Sequence, residues 1–288
     1  MARSSSRPLS KKSRLPLARG AASGVLLALL AAPAPAQKIS NVDMCNGGDR
    51  TSVEPQIAGC TALIDSEATD IKVRAIAYNN RGDAYTAKGQ YDLAIADYDQ
   101  SIKIDPTYAK PFNNRGVAHR KQGDDDDALK DFGAAIGIDP KYANAFANRA
   151  AIYQKKRDYA AALKDLDDAI RLRPDVGLMW NERCWIRAIT GDLQNALADC
   201  NEAIRLAPNA AALLDSRGFT YLKLGQWAAA IADYTAALQL NHKLPSALYG
   251  RGYAKLKSGD QNGGNADIAA AKAADRDIAT EFAGYGLP

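Results

Sequence analysis

Histidine occurs only twice in this chain of 288 residues, at His119 and His242, and cysteine four times, at Cys45, Cys60, Cys184 and Cys200. Neither histidine has a Ser, Cys or acid at triad-like spacing, no Cys-x-x-Cys occurs, and no glycine-rich phosphate loop is present. Those absences remove the usual signatures of nucleophilic catalysis, zinc binding and nucleotide binding. No metal, no cofactor and no enzymatic activity are expected. Long apolar runs are missing too. The longest, Val25 to Ala32, is short for a bilayer span, and Pro33 and Pro35 would break a helix there.

Acids are absent from the first 42 positions, where Arg3, Arg7, Lys11, Lys12, Arg14 and Arg19 precede that apolar run and Ala34-Pro35-Ala36 follows it. A basic segment, a short apolar core and an A-x-A site read as a secretory signal over 1–36, cleaved after Ala36, with a retained anchor as the alternative. The expected location is periplasmic or secreted, with no membrane span after cleavage. Removing six basic residues from 37 leaves 31 against 33 acidic ones, near −2. The basicity belongs to the leader, and nothing suggests nucleic acid. In an oxidising compartment the cysteine separations of 15 and 16 residues read most simply as Cys45–Cys60 and Cys184–Cys200 disulfides. A metal site and two free buried thiols at 184 and 200 are the rival readings.

What the chain has is a period. An aromatic residue or Leu followed three residues later by Arg and a small residue recurs every 34 residues: Tyr78-Arg81, Phe112-Arg115, Phe146-Arg149, Trp180-Arg183, Leu214-Arg217 and Leu248-Arg251. Such a period marks a stack of supersecondary units without an enclosed catalytic cleft. In the first unit Ala75 to Thr86 and Asp92 to Ile104 are helical, a turn lies at Gly89, and Asp105-Pro106 is the stop. Ala94, Ile95, Tyr98, Ser101 and Ile102 place one apolar stripe inward. Small residues recur on both helices where they must approach closely, as at Gly82 and Ala94.

Tyr78, Gly82, Tyr85, Ala94, Tyr98 and Pro106 resemble the tetratricopeptide repeat pattern, and six units match it: 75–108, 109–142, 143–176, 177–210, 211–244 and 245–278. The resemblance implies an all-α, right-handed superhelical solenoid. Its first helices would line a concave groove that holds an extended peptide or a partner helix, and scaffolding of other proteins, in cell-envelope assembly, is the expectation. A structural or self-associating array is the alternative, and a homo-oligomer is possible. Residues 37–74 are expected to form an N-terminal cap around a lone helix at 55–66, and 279–288 the C-terminal tail, with residues 277–282 extending the last helix and 284–288 loose.

Three sets of side chains stand out. Where the family usually has Leu, all six units have Arg (Arg81, Arg115, Arg149, Arg183, Arg217, Arg251), matched by Asp97, Asp131, Asp165, Asp199, Asp233 and Asp267. A charge repeated beside a packed seam needs a partner, so an Arg–Asp ladder is expected, within units or between neighbours. Asn80, Asn114 and Asn148 share one register, with Asn79, Asn113 and Asn181 beside it. Amides in a groove can hold peptide backbone or can satisfy neighbouring groups. In the last three units Trp185, Phe219 and Tyr253 are aligned, either as partner anchors or as packing between first helices. The acidic run Asp124 to Asp127 reads as helix capping rather than calcium ligation.

Overall fold

The computed structural model describes residues 40–47 and 52–287, so the expected signal at 1–36 lies outside the described residues. Among these the chain is entirely helical. A short α1 (Asn41–Cys45) and α2 (Glu54–Asp65) precede six helix pairs. The pairs are α3 (Ile71–Ala87) with α4 (Tyr91–Ile104), α5 (Ala109–Gln122) with α6 (Asp125–Ile138), α7 (Ala143–Lys155) with α8 (Tyr159–Leu172), α9 (Gly177–Thr190) with α10 (Leu193–Leu206), α11 (Ala211–Lys223) with α12 (Trp227–Leu240), and α13 (Pro245–Lys257) with α14 (Gln261–Ala274). A final α15 spans Ile278–Gly284. None of these helices is long and apolar enough to cross a membrane.

Local chemistry sets the boundaries. Between paired helices the chain turns through a left-handed residue, glycine at Gly89, Gly123, Gly191, Gly225 and Gly259. The third repeat has Arg157 in that register at φ 61°, the only such non-glycine among the described residues, where an L side chain costs about 1–2 kcal/mol. Asp70, Asp158 and Asp260 cap α3, α8 and α14 by accepting from backbone N–H groups of the first turn.

The two helices of a repeat meet at a small residue. A Cβ on Gly82 would sit 2.6 Å from the Tyr98 ring, one on Gly116 2.7 Å from Phe132, and one on Gly218 3.0 Å from Tyr234. In the fourth repeat the same register pair is Cys184 and Cys200, joined in a disulfide, so a covalent link stands where the first, second and fifth repeats place an aromatic ring on glycine. A second disulfide, Cys45–Cys60, ties α1 to α2 over the first repeat.

Four of the five pairs of consecutive first helices pack closely (α3 with α5, α5 with α7, α9 with α11, α11 with α13; not α7 with α9), whereas consecutive second helices are not packed against one another. The array therefore bends with its first helices inside. Instead of extending α14, the chain breaks at Asp275, whose carboxylate accepts from the Asp277 N–H at 2.9 Å, and turns back as α15.

Candidate binding groove

Each Arg of the repeated column grips the Asp 16 residues later, inside its own repeat. Nε and Nη2 donate to the two carboxylate oxygens at 2.6–2.9 Å in all six pairs. The Asp side chains are buried and the guanidiniums partly so, and most guanidiniums lie against an aromatic ring, as Arg183 does over Trp180 at 4.9 Å. The third nitrogen reaches back: Nη1 of Arg115 meets Asp99, that of Arg183 meets Asp167, that of Arg217 meets Asn201, and that of Arg81 meets Thr61. Arg149 finds Gly133 at that place and has no such link. The ladder thus joins helices within each repeat and, at four positions, neighbouring units. It is framework rather than groove.

The asparagines lie on the inner helices and bond to one another. Asn148 donates to Asn113 (2.9 Å), Asn113 to Asn114 (3.1 Å), Asn114 to Asn79 (3.1 Å), Asn79 to Asn80 (3.1 Å) and Asn80 to Asn46 (3.1 Å). Six amides form one directional chain across α7, α5, α3 and the residue after α1. Asn79, Asn80 and Asn113 are buried in it. Asp83 closes its side, accepting from Asn114 at 2.7 Å and Tyr98 at 2.9 Å, with Lys110 at 3.4 Å. Burial pushes the Asp83 carboxyl above its ordinary range, against the pull of that lysine. Together with Ala87, Val117, Tyr142 and Asn144 these groups line an open cleft of mixed polar and apolar character, about 410 Å³ in volume.

The aromatic column meets the chain's own C-terminus. Phe219 is fully buried, 4.7 Å from Trp185 between ring centres and 5.9 Å from Phe282 of α15. Tyr285 stands edge-on to Trp185 at 5.2 Å, Phe282 lies 4.7 Å from Tyr249, and Lys223 donates to the Tyr285 carbonyl at 2.8 Å. Tyr253 instead packs edge-on to Trp227 at 6.5 Å. So α15 lies across the inner helices of the last three repeats and occupies the ground that Trp185 and Phe219 line.

Between the two regions lies a second recess containing Asn181, Glu182, Asp215 and Glu281. Burial pushes Glu182 and Asp215 up to about 7. Reading the sequence by residue type alone misses them. Their register does not, because Glu182 falls in the Asn80 column and Asp215 in the Asn79 column. The acids at Asp124 to Asp127 sit at the start of α6, where Asp125, Asp126 and Asp127 pair with Lys155, Lys156 and Lys130.

A solenoid of helix pairs with a lined inner face defines a repeat-scaffold architecture. Matches described as TPR repeat cover residues 82–123 and 218–259, and matches described as tetratricopeptide repeat cover 109–142 and 148–211, together more than half of the chain. The chain belongs to the tetratricopeptide repeat family. No curated protein matches it by sequence. Among solved structures it is similar to a chain of the APC/C hetero-tetramer Cut9-Hcn1 (TM-score 0.67, 15% identity, 86% of this chain). The chain spans about half, 51%, of that protein. It is also similar to pilF of Pseudomonas aeruginosa (TM-score 0.64, 16% identity, 74% of this chain and 99% of that one). A third is YrrB, described as a TPR protein with an unusual peptide-binding site (TM-score 0.53, 17% identity, 66% of this chain and 98% of that one). At these identities the likeness is one of fold.

Proposed function

We propose that this protein is a non-enzymatic interaction scaffold that holds an extended or helical segment of another protein along its inner face. We further propose that it works after export, in an oxidising compartment, where it takes part in cell-envelope assembly. The observation that carries the docking reading is the cleft beside Asp83, Lys110, Asn114 and Asn144: it is open, sets these polar groups beside apolar ground from Ala87, Val117 and Tyr142, and lies along the inner helices, the face on which the chain seats its own α15. Because the amides there already satisfy one another, a partner backbone would bond to their outward atoms and to Asn144, which is exposed. The two disulfides support export, since such bonds persist in oxidising compartments.

The test is site-specific photocrosslinking in intact cells from Asn144, inside the cleft, against Lys130, which is exposed on α6. Discrete protein adducts from position 144 and none from 130 are expected. Equal capture from both positions refutes groove docking. A self-associating array is the second reading, favoured by one observation: α15 is a short segment that fits this inner face, so a second copy could supply it. Sedimentation over a hundredfold concentration range separates the two, a constant monomer mass counting against self-association.

A further inference from the structure

Two polar columns run along the inner face. One reads Asn79, Asn113, Ala147, Asn181, Asp215 and Tyr249; the other reads Asn80, Asn114, Asn148, Glu182, Ser216 and Gly250. In the first three repeats they are amides, each donating to the next. Ala147 is the exception and carries no polar group, and past Asn148 the columns keep one amide, Asn181, and gain two acids, Glu182 and Asp215.

The fourth and fifth repeats thereby gather a cluster of acceptors with too few donors. Oδ1 of Asn181 and Oδ1 of Asp215 are fully enclosed and have no hydrogen-bond partner. The other Asp215 oxygen accepts from Ser246 at 2.8 Å. Glu281 of α15 stands at the exposed rim of the same recess and accepts from Tyr285 at 3.0 Å. Among the described residues no lysine or arginine pairs with Glu182, Asp215 or Glu281, and the influence of Arg120 on Glu182 stops short of an ion pair. Asp83, in the other half, shows the contrast, with a lysine, a tyrosine hydroxyl and an amide all directed at it. Enclosed acceptors left without donors are costly, and buried acids even more so.

We infer that this recess receives the ammonium group of a lysine side chain carried by the partner segment in the groove. The inference rests on the docking reading and gives the partner a chemical feature. An ammonium supplies three donors and no acceptor, which is the complement of the recess. The acids come from three separate helices, α9, α11 and α15, around a volume of about 370 Å³. That arrangement suits a compact charge with rotatable donors rather than the planar fork of a guanidinium. Trp185 forms one wall, against which the methylene stem would lie. Among the described residues no three acids, histidines or cysteines are placed to hold a metal ion. Burial raises the Glu182 and Asp215 carboxyls, and a bound ammonium would pull both back down.

The probes are acetyl-Ala-Ala-Lys-Ala-Ala-amide, its norleucine and glutamate counterparts, and butylamine, added to the full chain. The readout is the NMR signals of the Trp185 indole and the Asn181 side-chain amide. The lysine peptide should shift both and bind at least tenfold more tightly than the norleucine or glutamate peptide. Glu182→Gln with Asp215→Asn, which keep size and the Ser246 bond, should weaken it at least tenfold. Equal binding of the norleucine peptide, or an unaffected double variant, overturns the inference. Butylamine binding as tightly as the lysine peptide also overturns it, by marking a free-amine site. Were the variant to misfold, the wild-type comparison of lysine with norleucine decides alone. Adducts confined to position 144 with no preference for lysine sink this inference and leave the scaffold reading standing; equal adducts from 144 and 130 sink the scaffold reading.

Discussion

Arg149→Met isolates one rung of the ladder. Arg149 holds Asp165 through two bonds of 2.8 Å, and because Gly133 lies where Asp99 and Asp167 serve Arg115 and Arg183, it makes no link to the preceding repeat. The Asp165 side chain is 4% exposed and the Arg149 side chain 23%. Removing one partner of a buried ion pair strands the other charge at a cost of about 3–5 kcal/mol. Water reaches the arginine side, so the lower end applies, about 3 kcal/mol. Met keeps an unbranched stem and removes the guanidinium, which lies 5.9 Å from the ring centres of Phe146 and Tyr153. Arg149→Met with Asp165→Leu removes both charges and should fall within about 1 kcal/mol of the parent, because neither partner is left stranded. The assay is urea unfolding followed by helical circular dichroism, with the denaturant slope checked for each variant because repeat arrays can lose two-state behaviour. A single variant within about 0.5 kcal/mol of the parent, or a double variant as destabilised as the sum of its parts, would refute the reasoning.

Other perturbations address the termini, the strained turn and the acids. Phe282→Ala with Tyr285→Ala removes the side chains seated on Phe219 and Trp185; loss of a buried Phe costs about 3–5 kcal/mol locally, so α15 should detach. Tryptophan emission should shift to the red and the inner face should lose hydrogen-exchange protection, and an unchanged spectrum would count against this packing. Cys184→Ser with Cys200→Ser removes a link closing a 16-residue separation and should cost about 3 kcal/mol by urea unfolding. Arg157→Gly relieves the only left-handed non-glycine among the described residues and should stabilise by about 0.5–1 kcal/mol, read as a rise in melting temperature. Burial raises Asp215, which faces Ser246, Glu281 and the buried Tyr234, and Glu182, which feels Arg120, both to about 7. A carboxyl raised on folding binds more protons in the native state, so stability is highest below pH 4 to 5 for these groups and falls as pH rises toward about 7. Their Asn and Gln variants should flatten that fall, and an identical slope in parent and variants would contradict the burial argument.

The helical stack was legible because a 34-residue period survives any uncertainty about individual helix ends. Tyr78, Gly82, Ala94 and Pro106 each report a separate constraint, and their recurrence multiplies the signal. The columns on the inner face were equally visible as columns. Their bonding was not, because Asn114 meets Asn79 across 35 residues and the contact depends on the spacing of adjacent inner helices. The ladder was ambiguous for a similar reason: Arg115 lies 16 residues before Asp131 and 18 after Asp97, and only the packed geometry puts the two-pronged grip on Asp131. The C-terminus carried a signal that attention to the repeats obscured. Ile278, Phe282, Tyr285 and Leu287 make an apolar stripe behind an Asp275-to-Asp277 break, the pattern of a separate amphipathic segment rather than an extension of α14.

The halves of the inner face solve one physical problem in different ways, and the difference bears on what each can do. Polar side chains facing inward lose water on one side and need partners. In the first three repeats the chain supplies them internally, by a row of amides with Asp83, Lys110 and Tyr98 at its flank. A self-satisfied surface of that kind accepts a guest through its outward atoms, at little reorganisation and with little discrimination. In the last three repeats apolar ground is covered by α15, and beside it one oxygen of Asn181 and one of Asp215 are enclosed with no donor from the described residues. Such a surface discriminates, because a guest that brings the missing donors gains what any other forfeits. Selectivity along this groove should therefore reside at Asn181, Glu182 and Asp215 rather than in the asparagine row. Exchanging Asp215 for Asn should accordingly alter which segments bind far more than exchanging Asn114 for Ala does.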